Sequence, residues 1–307
     1  MSASLALPGH LAVREREPLA RHSTFGVGGP ADLWVEVHAV DDFVAVLDAA
    51  EAAGAPRTVV GHGTNLLVAD AGIEGLVVSN NCVGLSFDAA AGLARVESGH
   101  TMARLARQAA AGGHAGLGFA IGVPGTVGGA VFGNAGAWGS DIAAVLTSAE
   151  VWYPDGVRQL GPDDLAFAYR HSALQHDPQT PVVLSASLAI QPGDPDALQA
   201  QLETFARRRL DTQPRGQNAG SFFKNPSGDY AGRLIESSGL KGCARGGAFV
   251  SPIHANFISN DGTATAADIL ALALHVQTTV QQRHGVRLEP EVRVLGRWEA
   301  AVSELMA

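Results

Sequence analysis

Apolar and polar positions along the chain follow two periods, and these divide it into short strands and a handful of helices. After a glycine turn, Leu33 and Val35 alternate with Trp34 and Glu36, which predicts a strand within residues 22–38. Asp41 and Asp42 then open an amphipathic helix over 43–53, closed by Gly54. Strands are expected at 58–60, 75–79, 94–98, 149–153 and 182–190. A helix is expected over 102–111, ended by Gly112 and Gly113, and another over 195–209. Arg207, Arg208 and Arg209 at the end of the latter complement its dipole. The polar run 213–220 reads as a linker, which sets a boundary near residue 205. Beyond it come a short helix at 230–236, strands within 248–259, a long helix at 266–282 ending at Gly285, and a final strand over 286–295. Strand-rich and helix-rich stretches mix without a βαβ rhythm, so the expected class is α+β.

Composition adds limits. A chain of 307 residues, 46% hydrophobic and 17% charged, is globular and long enough for two domains. The net charge of −9 makes nucleic acid and anionic membranes poor partners. Cys82 and Cys243 lack CxxC spacing, and the 11 histidines show no ligand spacing. No disulfide framework and no metal are therefore expected, which suits a reducing cytoplasm. No signal peptide is expected either. Residues 115–139 carry no charge and could reach across a bilayer, but their nine glycines and Pro124 argue against a lipid-exposed helix.

Residues 121–139 read IGVPGTVGGAVFGNAGAWG. Such a run lets the main chain turn sharply, approach a ligand closely and aim consecutive N–H groups at a pyrophosphate. GHGTN at 61–65 has the same character. Either loop alone reads equally well as a tight structural turn. Gly116, Gly118 and Gly122 miss the Rossmann spacing by one residue, and no GxxxxGK[ST] is present.

STFGVGGPA, GHGTNLLVAD and AIGVPGTVGGAVFGNAGAWG, in that order, resemble the FAD-binding domain of the vanillyl-alcohol oxidase type. Over about 20–296 the chain is similar to the UDP-N-acetylenolpyruvoylglucosamine reductase family. The resemblance implies an FAD-binding domain over 1–205, made of two α+β subdomains (roughly 1–70 and 71–205), and a smaller α+β substrate-binding domain over 206–307. It implies noncovalent FAD held by Gly61, His62, Gly63, Thr64, Asn65 and Leu66, and by Pro124, Gly125, Thr126, Gly128, Gly129, Asn134 and Gly136.

Three further segments carry the family signal. In AYRHS, Arg170 reads by itself as a surface arginine; the resemblance makes it a contact of the substrate carboxylate, beside Tyr169 as a substrate-binding residue. In GSFFKNP, Ser221 alone reads as a turn residue. The resemblance makes it the general acid, with Lys224 and Asn225 binding substrate. In RLEPEVRVLG, the charged residues alone read as a solvated face, and the resemblance makes Glu291 catalytic. Arg209 matches in spacing a lysine at the nucleotide-diphosphate site.

The implied reaction is reduction of UDP-N-acetylglucosamine enolpyruvate to UDP-N-acetylmuramate with NADPH as co-substrate, in peptidoglycan precursor synthesis, by a cytoplasmic monomer. Residues 173–220 contain no tyrosine, so the chain resembles the smaller subclass without the inserted tyrosine loop. Two rivals stay open from the residues: a sugar or lactone oxidase with flavin attached through His62 or His100, and a non-catalytic UDP-sugar or flavin-binding module.

Overall fold

The computed structural model describes residues 5–298 and Leu305. Its contacts divide the chain into two interleaved units. One holds 5–13, 35–61 and 78–209; the other holds 14–34, 62–77, and 210–298 with Leu305. The division passes through the strands Pro30–Val37 and Ile73–Asn80. Cuts at 70 and 205 describe the chain as consecutive blocks, whereas here two early segments fold with the C-terminal third.

In the first unit the centre is a five-stranded antiparallel sheet. Its order is Gly156–Leu160, Leu146–Tyr153, Val182–Ala189, Leu93–Glu97, Leu85–Asp88. The helices Met102–Ala111 and Val127–Gly133 share its core, with Ala94, Val96, Leu105, Val127, Val131 and Leu188 buried together. Met102–Ala111 forms where its pattern predicts: Leu105, Ala106 and Ala109 bury one face, and Thr101 Oγ1 accepts from the Arg104 N–H at 3.3 Å.

Val127–Gly133 was not expected as a helix, because three of its seven residues are glycines that each cost about 1 kcal/mol relative to Ala. Packing offsets this. Val127 and Val131 are fully buried, and Gly128 lies so close to the strand-end residue Ser98 that an added Cβ would sit 2.9 Å from the Ser98 Cβ.

The second unit has a four-stranded sheet of order Gln217–Asn218, Ile258–Asn260, Ala248–Val250, Ala244–Arg245. The helix Ala266–His284 packs on it through Ile269, Leu272, Ala273, Val276 and Val280. A reciprocal cap starts this helix: Thr265 Oγ1 accepts from the Asp268 N–H at 3.1 Å, and Asp268 Oδ2 accepts from the Thr265 N–H at 2.9 Å. Gly285, at φ 69°, ends it.

Two expectations change here. The polar run 213–220 is more than a linker, since Gln217–Asn218 is an edge strand of this sheet. The final strand is short: only Arg293–Leu295 is regular, paired parallel to Leu66–Val68. Pro290 lacks an N–H and cannot continue a ladder; it sits opposite Phe223 in an isolated antiparallel bridge. Among the described residues no helix is long and apolar enough to cross a membrane.

Candidate functional site

In the first unit the glycine-rich segment is held by side chains that reach back to its own carbonyls. Thr126 caps the helix Val127–Gly133, and a Cβ on Gly61 would lie 2.7 Å from Thr126 Oγ1. The Gly128 N–H donates to the Ser98 carbonyl at 2.8 Å, and the Val127 N–H to the His100 carbonyl at 2.9 Å. Gly129 and Gly133, four apart, share one helical face. The nearest atom to a Cβ on Gly129 would be 3.7 Å away, and a Cβ on Gly133 would meet nothing within 4 Å. This bare backbone face lets a flat ring or a pyrophosphate approach more closely than any side chain would allow, so the residues fit FAD.

Asn134, at φ 43°, turns the chain out of the helix. Its Oδ1 accepts from the Ala143 N–H at 2.9 Å and its Nδ2 donates to the Ala168 carbonyl at 2.9 Å, so its side chain fixes the segment's exit. Arg170, itself at φ 54°, donates through Nη2 to the Gly136 carbonyl at 2.9 Å and lies over the half-exposed Tyr169 ring at 5.2 Å. The structure thus brings Asn134, Gly136, Tyr169 and Arg170 together. Arg209 donates to the Gly122 carbonyl at 2.9 Å, and burial lowers its pKa. Sequence reasoning missed three supports of this segment. Trp138 stacks on Phe205 at 5.2 Å, and the Ser172 hydroxyl donates to the Phe132 carbonyl at 2.6 Å, which also accepts from Gln175. A lone Trp inside a glycine run was the available signal for the first.

The second unit carries the remaining residues. Gly63, at φ 60°, packs so tightly that a Cβ would lie 1.9 Å from the His22 carbonyl oxygen, and Thr24 donates to the Gly63 carbonyl at 3.1 Å. Asn65 ties this loop to the C-terminal stretch. Its Nδ2 donates to the Glu291 carbonyl at 3.0 Å, and its own carbonyl accepts from the Arg293 N–H at 3.0 Å. The Glu291 N–H in turn donates to the Phe222 carbonyl at 2.8 Å, one residue from Ser221.

Lys224 is fixed twice by Glu289: N–H to carbonyl at 2.8 Å and Nζ to Oε1 at 2.5 Å. Asn225 Oδ1 accepts from the Ala231 N–H at 3.0 Å, at the start of the helix Ala231–Ser237. Gly220, at φ 77° with open space around it, delivers Ser221 into this frame.

Known proteins resemble this chain over most of its length. Residues 31–160 match an FAD binding domain, and residues 212–295 match the UDP-N-acetylenolpyruvoylglucosamine reductase, C-terminal domain. The UDP-N-acetylenolpyruvoylglucosamine reductase of Rubrobacter xylanophilus is 43% identical over 93% of this chain and 96% of its own length. The chain belongs to the UDP-N-acetylenolpyruvoylglucosamine reductase family. A second relative of that name, from Symbiobacterium thermophilum, is 44% identical over 92% of both chains. The crystal structure of the Thermus caldophilus UDP-N-acetylenolpyruvylglucosamine reductase matches with a TM-score of 0.79 at 34% identity, covering 93% of this chain and 99% of that one. The vanillyl-alcohol-oxidase-type FAD-binding domain and the C-terminal α+β domain expected from the sequence are both present in this family's architecture.

Proposed function

We propose that this family member uses NADPH and noncovalent FAD to reduce the enolpyruvyl ether of UDP-N-acetylglucosamine to UDP-N-acetylmuramate, in peptidoglycan precursor synthesis. The observation that carries this reading is the pairing of the Ser221 and Glu291 segments through the Phe222 carbonyl and the Glu291 N–H at 2.8 Å. It fixes a candidate proton donor and a candidate carboxyl on one hydrogen-bonded frame.

FAD, held by the glycine loops, would supply the hydride chemistry that links NADPH oxidation to reduction at the terminal vinyl carbon. Charge then develops on the carbon next to the carboxylate. The Arg170 guanidinium, permanently charged and planar, holds that carboxylate. Glu291 in its protonated form donates to the developing enolate, because only the protonated carboxyl can donate. The Ser221 hydroxyl gives its proton to the carbon, which completes addition of hydride and proton across the double bond. Tyr169, Lys224, Asn225 and Arg209 bind substrate, and the glycine loops hold FAD. The reading carries with it a cytoplasmic monomer without nucleic-acid or membrane partners.

The test is anaerobic and follows flavin absorbance. NADPH should bleach the flavin, and the enolpyruvyl ether should restore it with one product formed per flavin. A flavin that NADPH reduces and the ether leaves reduced would sink the proposal.

A further inference from the structure

The hydroxyl of Ser221 can act as a proton donor only if its backbone is held still, and that backbone leaves a regular strand partner on neither side. Phe222 and Phe223 are fully buried, with ring centroids 5.0 Å apart, and they anchor the chain just after Ser221. On one side, the Phe222 carbonyl accepts from Glu291 at 2.8 Å and the Lys224 N–H donates to Glu289 at 2.8 Å.

The other side is supplied by one residue, Asn256, which is buried at 3% exposure. Its main-chain carbonyl accepts from the Phe222 N–H at 2.7 Å. Its side-chain Oδ1 accepts from the Phe223 N–H at 3.0 Å, and its Nδ2 donates to the Phe223 carbonyl at 2.8 Å. The side-chain amide therefore does the work of a peptide unit in a neighbouring strand: one acceptor and one donor, spaced to match a single residue of main chain. Asn256 is itself fixed by its N–H, which donates to His254 Nδ1 at 3.2 Å.

We infer that Asn256 is a positioning residue for proton transfer: its amide fixes the main chain of Phe223 and, through it, the direction of the Ser221 hydroxyl. The inference rests on the reading of Ser221 as the proton donor. Losing the Asn256 donor leaves the buried Phe223 carbonyl unpaired, an effect worth about 1–3 kcal/mol, or roughly fivefold to 150-fold in an equilibrium or rate. A purely structural residue would instead lower everything the folded enzyme does in proportion to the folded fraction.

The test uses the FAD-loaded full chain at alkaline pH with Asn256→Asp, which as the carboxylate keeps size and the acceptor and loses the donor, and with Asn256→Ala, which loses both. Three quantities are read on each: flavin reduction by NADPH, flavin reoxidation by the enolpyruvyl ether, and hydrogen exchange of the Phe223 and Lys224 amides. Asn256→Asp should leave flavin reduction within about twofold and slow reoxidation by roughly fivefold to 150-fold, with exchange at those amides faster by a similar factor. Asn256→Ala should show the same split wherever it retains FAD. Equal loss of both half-reactions in Asn256→Asp, or unchanged reoxidation beside faster exchange, overturns the inference. A wild-type enzyme that never reoxidises with the ether overturns the functional reading instead, so the two failures are separable.

Discussion

The Glu291 N–H donates to the Phe222 carbonyl at 2.8 Å, so the two segments assigned a proton and a carboxyl share a main-chain hydrogen bond. Glu291 is bound on its other face as well, where its carbonyl accepts from the Asn65 side chain at 3.0 Å. A one-residue slip of the Glu291 segment would break both contacts, and a slip of the Ser221 segment would break the first. The arrangement predicts that removing the Ser221 hydroxyl leaves the frame intact, because none of these bonds uses its side chain. Ser221→Ala should therefore keep NADPH-driven flavin reduction and lose ether reduction by roughly 10²–10⁴-fold, the usual worth of a positioned general acid. Stopped-flow absorbance of each half-reaction checks this. Equal loss in both would remove Ser221 from the proton-transfer step.

Arg170 gives a different expectation, because its guanidinium already holds the Gly136 carbonyl at 2.9 Å and stands over Tyr169. It serves the glycine segment and, by the proposed mechanism, the substrate carboxylate. Lysine keeps the charge but not the fork. Arg170→Lys should weaken both functions: FAD retained through gel filtration should fall, and reoxidation by the ether should slow by about tenfold or more, given ~1.5–3 kcal/mol for a hydrogen bond to a charged group. Retention is read from the flavin-to-protein absorbance ratio. Full retention with a slowed ether step would restrict Arg170 to the substrate.

Much of this was legible in the sequence, and the parts that were not share a cause. The helix Met102–Ala111 was readable because its apolar spacing and terminal glycines act within one turn. The helix Val127–Gly133 was not, because what offsets its glycines is the approach of Gly128 to Ser98, a contact thirty residues back along the chain. The same holds for the edge strand at Gln217, whose partner is Asn260, and for the stretch before Arg293, where Pro290 breaks the pattern. Among the candidate site residues, Ser221, Lys224 and Glu291 could be picked out by motif. Asn256 could not, since an asparagine that mimics a peptide unit leaves no local signature. Likewise, nothing in the spacing showed that Lys224 and Glu289 form an ion pair.

Gly63 and Gly54 separate two reasons for a glycine. Both have positive φ, 60° and 59°, but a Cβ on Gly63 would lie 1.9 Å from the His22 carbonyl oxygen, while one on Gly54 would meet nothing within 4 Å. Gly54→Ala should cost only the left-handed strain, about 1–2 kcal/mol. Gly63→Ala should cost clearly more, since backbone must move as well, and FAD should leave with the displaced loop. Urea midpoints of the two variants check the ordering. Equal midpoints would mean that the loop around Gly63 yields without strain.

His254 sets an acid limit on the frame that holds Ser221. Its Nδ1 accepts the Asn256 N–H at 3.2 Å, so the ring must be unprotonated at that nitrogen. Burial is the main cause that pushes its pKa below 6.5; a backbone hydrogen bond opposes it, the nearby Lys241 lowers it further, and Glu236 raises it slightly. In the unfolded chain the ring takes up a proton near pH 6.5, while in the fold it resists until lower pH. The unfolded state therefore binds more protons in that window, and stability must fall as pH drops below about 6.5 until the folded ring titrates too. Above that pH the contribution is complete. Unfolding free energy measured by urea titration between pH 8 and pH 5 should decline on the acid side. His254→Gln, whose carbonyl oxygen can accept the same bond and does not titrate, should flatten part of that decline. An identical acid slope in both proteins would show that His254 remains neutral, or is equally protonated, in the folded and unfolded states.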